Sequence, residues 1–429
     1  MQYLTPNFTK EMMKDYTVLI PSMAPIQFRL IKAALESEGY HRVEMISSSS
    51  PDVMRLGLKY VHNDTCYPAL LIIGQFLEAL ESGKYDLSHT ALIISQSGGG
   101  CRASNYIRLL RKALVNAGYG NIPVGSANLS GLEKGSRMPY TLRLLIKLIA
   151  AVEYGDLLMA LRNQTAPYEV KKGESEEVLE TQLQKAEGWF RRNQNCGLFR
   201  KTGAYRSLIE PFSKIEVKRV PKVKVGVVGE IFVKFSPDGN NHLQDLLESQ
   251  GCEVNFPGLM GYIEYCVANM ILDTKLYGMK PSSGRAARVL LSYLDHDSKI
   301  VSALLKEHGY YAPGSFRELM EKPDGILGLG AKMGEGWLLT AEMVELIQGG
   351  YTNIVCAQPF GCLPNHIAGK GVVNRIRERF PHSCITPVDY DPSASRVNQE
   401  NRIKLMLAVG KEELEKQLEM QRNHALQTN

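Results

Sequence analysis

Short β-type runs alternate with helix-length amphipathic stretches in both halves of this 429-residue chain, and that alternation constrains the fold more than any single residue does. In the first half the runs are Tyr16 to Pro21, Val43 to Ile46, Thr90 to Ser95 and Ile122 to Ser126. Apolar residues at helical spacing fill Ile26 to Glu38, Ala69 to Leu80 and Asn105 to Ala117 between them, and Ser47 to Pro51 reads as a polar loop. Strands separated by helices of this length predict a parallel sheet with helices on both faces.

From Thr141 to about Glu210 the pattern turns helical. Thr141 to Ala160 and Glu176 to Arg192 are the two clear stretches, the second with Ser175 as its expected cap and Trp189 and Phe190 on its closing turn. A second α/β part opens at Val223 to Glu230. Cys252 to Phe256, Gly325 to Leu329, Asn353 to Ala357 and Ile385 to Asp389 read as its further strands. Leu259 to His308 reads as largely helical, and Ser395 to Leu418 as a terminal helix broken at Gly410. The predicted fold class is therefore α/β, with two Rossmann-like or flavodoxin-like parallel-sheet lobes. An N-terminal lobe spans 1–140, a helical connecting segment 141–220 and a C-terminal lobe 221–429. The two halves share an architecture without a visible residue-level repeat.

Composition bounds the function classes. A formal charge of +5 over this length, with no dense basic run, offers no nucleic-acid footprint. The longest apolar candidate for a span, Leu144 to Val152, is short and contains Lys147, so no membrane partner is expected. The first residues mix charge with apolar side chains and resemble no secretory leader, which leads us to expect a cytoplasmic, reducing location. There the eight cysteines are expected as thiols or metal ligands rather than disulfides, and none forms a Cys-x-x-Cys pair.

Three cysteines stand apart from the rest. They are Cys66 in Asn63-Asp64-Thr65-Cys66-Tyr67-Pro68, Cys101 in Gln96-Ser97-Gly98-Gly99-Gly100-Cys101-Arg102, and Cys362 in Gln358-Pro359-Phe360-Gly361-Cys362-Leu363-Pro364. Each falls in a turn before a helical stretch, where backbone N–H groups and the dipole favour a thiolate or an anionic cluster. Gly98, Gly99 and Gly100 allow close approach of backbone N–H groups. Arg102, Ser104 and Asn105 flank a thiol and can donate hydrogen bonds to a cluster or substrate; Ser104 also suits a helix cap. Cys196, Cys252, Cys266, Cys356 and Cys384 are expected in packing. Glu230, just after a strand, is expected to face the cleft between lobes, and His366 is a candidate proton carrier. Lys332 and Lys370, in glycine-rich turns, are candidates for phosphate contacts. The glycines around Glu335 lack dinucleotide-fingerprint spacing, so no NAD is predicted.

The three motifs, continued through Ala103-Ser104-Asn105-Tyr106 and Asn365-His366, together with Asp389-Tyr390-Asp391-Pro392, resemble the 2-hydroxyacyl-CoA dehydratase superfamily. They are most similar to its branch fused to or associated with acyl-CoA dehydratase activases. The resemblance runs from Tyr16 to about Met406. It implies a [4Fe-4S] cluster on Cys66, Cys101 and Cys362, between two α/β domains, with one iron open. It implies an ATP-dependent activase as partner, an acyl-CoA substrate, and oxygen-sensitive radical elimination of water from a hydroxyacyl-CoA. A homologous second subunit or a second copy is a further implied partner. A related low-potential reductase and a non-catalytic electron relay are the alternatives. The chain carries no phosphate-loop motif of its own.

Overall fold

The computed structural model describes residues 5–62, 64–97, 99–128, 135–199, 201–279 and 281–427. Eight strands form two sheets: β1 (Thr17–Pro21), β2 (Arg42–Ile46), β3 (Thr90–Ser95) and β4 (Val124–Ala127) in one, β5 (Lys224–Gly229), β6 (Glu253–Asn255), β7 (Asn353–Pro359) and β8 (Cys384–Tyr390) in the other. All pairings are parallel, with Val18 opposite Val43 and Ala91, and Val227 opposite Val355. The orders are β2-β1-β3-β4 and β6-β5-β7-β8. Each lobe is thus an open parallel sheet with helices packed against it, and the two lobes share one strand order.

Burial explains the helices. In Tyr67–Glu81 all but Glu78 and Glu81 are buried, so this helix is enclosed on every side, unlike the amphipathic Tyr106–Asn116. It crosses the helix Pro51–Tyr60 at very short range. A Cβ on Gly74 would lie 2.0 Å from the Val53 carbonyl oxygen, and one on Gly57 2.4 Å from that of Leu70. One apolar core runs through both lobes, taking in Leu92, Phe76, Val225 and Tyr390. A second joins the helices Leu142–Thr165, Glu174–Arg192 and Thr202–Ser213 to the N-terminal lobe's helix Pro25–Glu36. Arg29 fastens the same contact through Glu180 and Glu187.

Several expectations are corrected. Gly325 to Leu329 is a turn, not a strand: Gly325 adopts φ +73° and Ile326 is delivered into the core from the turn. Ser175 does not cap its helix, which begins at Glu174; the Glu169 carboxylate takes the Gly173 and Ser175 N–H groups instead. The terminal helix Arg396–Gln427 runs unbroken through Gly410, where a side chain would strike Asn353 of β7. The expected polar loop at Ser47 to Pro51 leads straight into the helix Pro51–Tyr60, with the Ser50 hydroxyl accepting the Asp52 N–H. No helix among the described residues is long and apolar enough to cross a membrane.

Candidate functional site

Two of the three singled-out thiols follow equivalent strands, Cys101 after β3 and Cys362 after β7, at the carboxyl ends where open α/β sheets place ligands. Cys66 opens the enclosed helix Tyr67–Glu81 at its N-terminus. Contacts between the turns close into a ring. The Tyr67 N–H donates to the Phe360 carbonyl oxygen at 3.0 Å, and a Cβ on Gly361 would come within 3.0 Å of the Cys66 Cα. The Cys66 sulfur lies 2.9 Å from the Tyr106 hydroxyl, on the helix that follows the Cys101 turn. Gly100 faces Met333, and Gly334, next in the chain, faces Pro364 beside Cys362. Thiols from both lobes thus border one recess.

Glu230 lies close enough to all three thiols for its charge to act on each. Its backbone N–H binds the Ala357 carbonyl oxygen of β7, and its carboxylate accepts the Val233 N–H at 2.9 Å. Gly229 aims it: φ is +146°, and a Cβ there would sit 2.2 Å from the Ala357 oxygen. A second carboxylate, which the sequence reading missed, arrives from Glu335, whose Oε1 accepts the Ile231 N–H at 3.0 Å. Two acids therefore serve one short helix start, with Lys234 nearby but turned to Glu342 at 3.3 Å. Burial first, and Glu335 second, push the Glu230 carboxyl up to about 8; burial also raises Glu335. Glu335 had one signal in the sequence: it stands between Gly334 and Gly336, both at positive φ.

The helix-start argument for low thiol pKa is reversed in the protein alone. Burial dominates, pushing Cys101 up to about 11 and raising Cys66 and Cys362, and the carboxylates of Glu335 and Glu230 act in the same direction. The backbone N–H groups of Ala69, Ala103 and Asn365 pull each sulfur the other way but do not prevail. Among the described residues no three His, Cys, Asp or Glu side chains stand close enough to share one metal ion. A cubane meets each thiolate at a different iron, so it does not require three sulfurs to converge on one point.

The other expected residues divide. Gly99 and Gly100 lie on the recess turn, whereas Gly98 falls outside the described residues. Ser104 does not cap the following helix: its hydroxyl donates to the Gly99 carbonyl oxygen at 2.6 Å and so closes the turn. Asn105 stands at the helix start without a side-chain capping bond, and Arg102 is exposed with its charge bearing on Cys66. His366 is exposed on a π-helical turn, its Nδ1 bonded to the Cys362 carbonyl oxygen at 2.9 Å. Lys332 and Lys370 are paired with Asp273 and Asp389. Of the cysteines expected in packing, Cys252, Cys196, Cys356 and Cys384 are core or core-flanking, but Cys266 is exposed, with Tyr262 beside it on the same helix. Phe360, Leu363, Ile367 and Met333 expose apolar surface around the recess.

No protein-family model matches this chain, and no curated protein matches it either.

Proposed function

We propose that the chain is an iron–sulfur component resembling 2-hydroxyacyl-CoA dehydratases, with Cys66, Cys101 and Cys362 holding a [4Fe-4S] cluster. The observation that carries this reading is the ring of contacts bringing those thiols, from turns far apart in sequence and in different lobes, around one recess. Such a cluster, when bound, supplies low-potential one-electron chemistry and an iron open to a substrate oxygen. The proposed reaction is elimination of water from a hydroxyacyl-CoA after one-electron activation by a separate ATPase.

The chain's own groups have definable tasks in that reaction. Ala69, Ala103 and Asn365 turn backbone N–H groups toward the sulfurs, and the Tyr106 hydroxyl stands beside the Cys66 sulfur. Burial biases the Glu230–Glu335 pair toward its protonated form, which suits an acid or a base beside the thiols. The exposed apolar side chains Phe360, Leu363 and Ile367 at the rim suit docking of the activating protein. A second reading, reduction of a small substrate by the same ATP-coupled electron, draws on Lys332 and Lys370, which are engaged in ion pairs rather than left for CoA phosphates.

The test is anaerobic purification with measurement of iron, acid-labile sulfide and the EPR spectrum after reduction. About four irons per chain are expected. They should be lost in Cys66→Ser, Cys101→Ser and Cys362→Ser and retained in Cys384→Ser. A protein that takes up no iron on anaerobic reconstitution refutes the cluster. Acyl-CoA binding to the loaded protein then separates the dehydratase from the reductase reading.

A further inference from the structure

A cavity of about 190 Å³ lies among the helices Leu142–Thr165, Leu259–Tyr277, Pro281–Glu307, Phe316–Glu321 and Gly336–Gln348. None of Cys66, Cys101 and Cys362 lines it. Of its lining residues Pro313 alone is exposed, which sets the mouth beside that residue.

Met260, Leu305, Phe316 and Leu319 give the cavity apolar walls, and six carboxyl groups interrupt them. Five of the six are engaged. Lys201 pairs with both Glu153 and Asp297, the latter at 2.6 Å. Lys234 takes Glu342 at 3.3 Å. Asp156 accepts the Leu259 and Met260 N–H groups at 3.0 and 2.7 Å, and Glu345 accepts the Gly314 N–H at 2.9 Å. Glu264 is the exception. It is 4% exposed, and its Oε1 accepts only the Ser298 hydroxyl, at a long 3.3 Å. Its Oε2 is neither hydrogen-bonded among the described residues nor sealed from the cavity.

A buried carboxylate served this poorly is costly unless a cation pairs with it. The cavity has room for that cation. No lining residue is basic, and the two lysines behind the walls do not balance six carboxyls, so the space favours positive charge over negative. A metal ion is a poor candidate, because among the described residues no three of these carboxylates converge. The apolar walls call for an organic cation with an apolar body. Apolar cavities of about 150 Å³ hold one benzene ring. This one therefore suits a single ring or a branched alkyl group with a short amine arm. Burial holds the Glu264 carboxyl up to about 8, and an ammonium group beside it favours the ionised form.

We propose that this cavity binds a small primary amine with a compact apolar body, its ammonium group paired to Glu264 and its body against Met260, Leu305 and Phe316. The inference does not rest on the iron–sulfur reading.

Isothermal titration of the full chain at neutral pH with 2-phenylethylamine, 3-methylbutylamine, 2-phenylethanol, phenylacetate and spermidine tests it. One of the two monoamines should bind, and which binds tighter separates a ring from a branched chain. The uncharged alcohol should bind at least tenfold more weakly than the matching amine, and phenylacetate not measurably. Glu264→Gln keeps the shape and removes the charge. It should lose at least tenfold in affinity for the amine, and it should fold, since it removes an unpaired carboxylate. Ser298→Ala leaves that carboxylate in place and should bind the amine within about threefold of wild type. The ratio of amine to alcohol affinity in the wild type tests the proposal without any variant. Failure of both monoamines at millimolar concentration overturns it. So does alcohol binding as tight as amine, undiminished amine binding in Glu264→Gln, or binding of spermidine alone.

Discussion

Gly74→Ala will destabilise the protein by about 3 kcal/mol or more, at the upper end of what overpacking usually costs. The added methyl carbon would fall 2.0 Å from the Val53 carbonyl oxygen and 2.8 Å from its carbon. A clashing side chain can rotate away, but a helix backbone oxygen cannot. Two helices must therefore separate, and the reciprocal contact of Gly57 with the Leu70 oxygen is lost with them. The displaced helix is the one that begins at Cys66, so that thiol moves with it. Gly203→Ala is the matched control: it is also helical and has nothing within 4 Å of its added carbon. At the second position of its helix it should change stability by less than about 1 kcal/mol. Urea denaturation of both variants decides the matter, and equal stabilities would mean that the glycine crossing is not tight.

The second large effect concerns pH. Glu264 is buried and receives one long hydrogen bond, from the Ser298 hydroxyl at 3.3 Å, with no cation among the described residues paired to it. Burial is the first cause pushing its carboxyl up to about 8 from the usual 4.5. Below about pH 4.5 folded and unfolded chains both carry this proton, and Glu264 costs nothing. As pH rises the unfolded chain releases the proton first, so stability falls by about 1.36 kcal/mol per pH unit until the folded carboxyl ionises near 8. The accumulated loss is roughly 5 kcal/mol. Glu230 and Glu342, raised to about 8 and about 7, contribute with the same sign. Glu264→Gln should therefore leave stability nearly unchanged at pH 4.5 and raise it by several kcal/mol at pH 8.5. A gain of equal size at both pH values would show that Glu264 does not titrate in this window.

Both sheets were legible because β-branched runs and helical spacing survive in each segment. The strands of the N-terminal lobe fall within two residues of where the alternation placed them. What failed was local. Gly325 to Leu329 has the apolar content of a strand, but a glycine at positive φ and a preceding turn deliver Ile326 without any sheet pairing. Gly410 looked like a helix break because its role is a close approach to Asn353, a residue 57 positions earlier that composition cannot reveal. At the recess, the turns carrying the thiols announced themselves by their glycines and prolines. Glu335 did not, since its partner is the Ile231 N–H of a distant helix start. Gln75 was invisible for the opposite reason: a lone glutamine in an apolar helix reads as a surface residue until the helix is found enclosed on all sides.

The shared strand order of the two lobes sets what their seam can be. The turn after β3 and the turn after β7 occupy the same station in their respective sheets, and contacts join them although no residues repeat between the halves. Like backbones thus meet bearing unlike groups, the thiol of Cys66 from one lobe and the acids Glu230 and Glu335 from the other, so a seam that is near-symmetric in its strands is asymmetric in its chemistry.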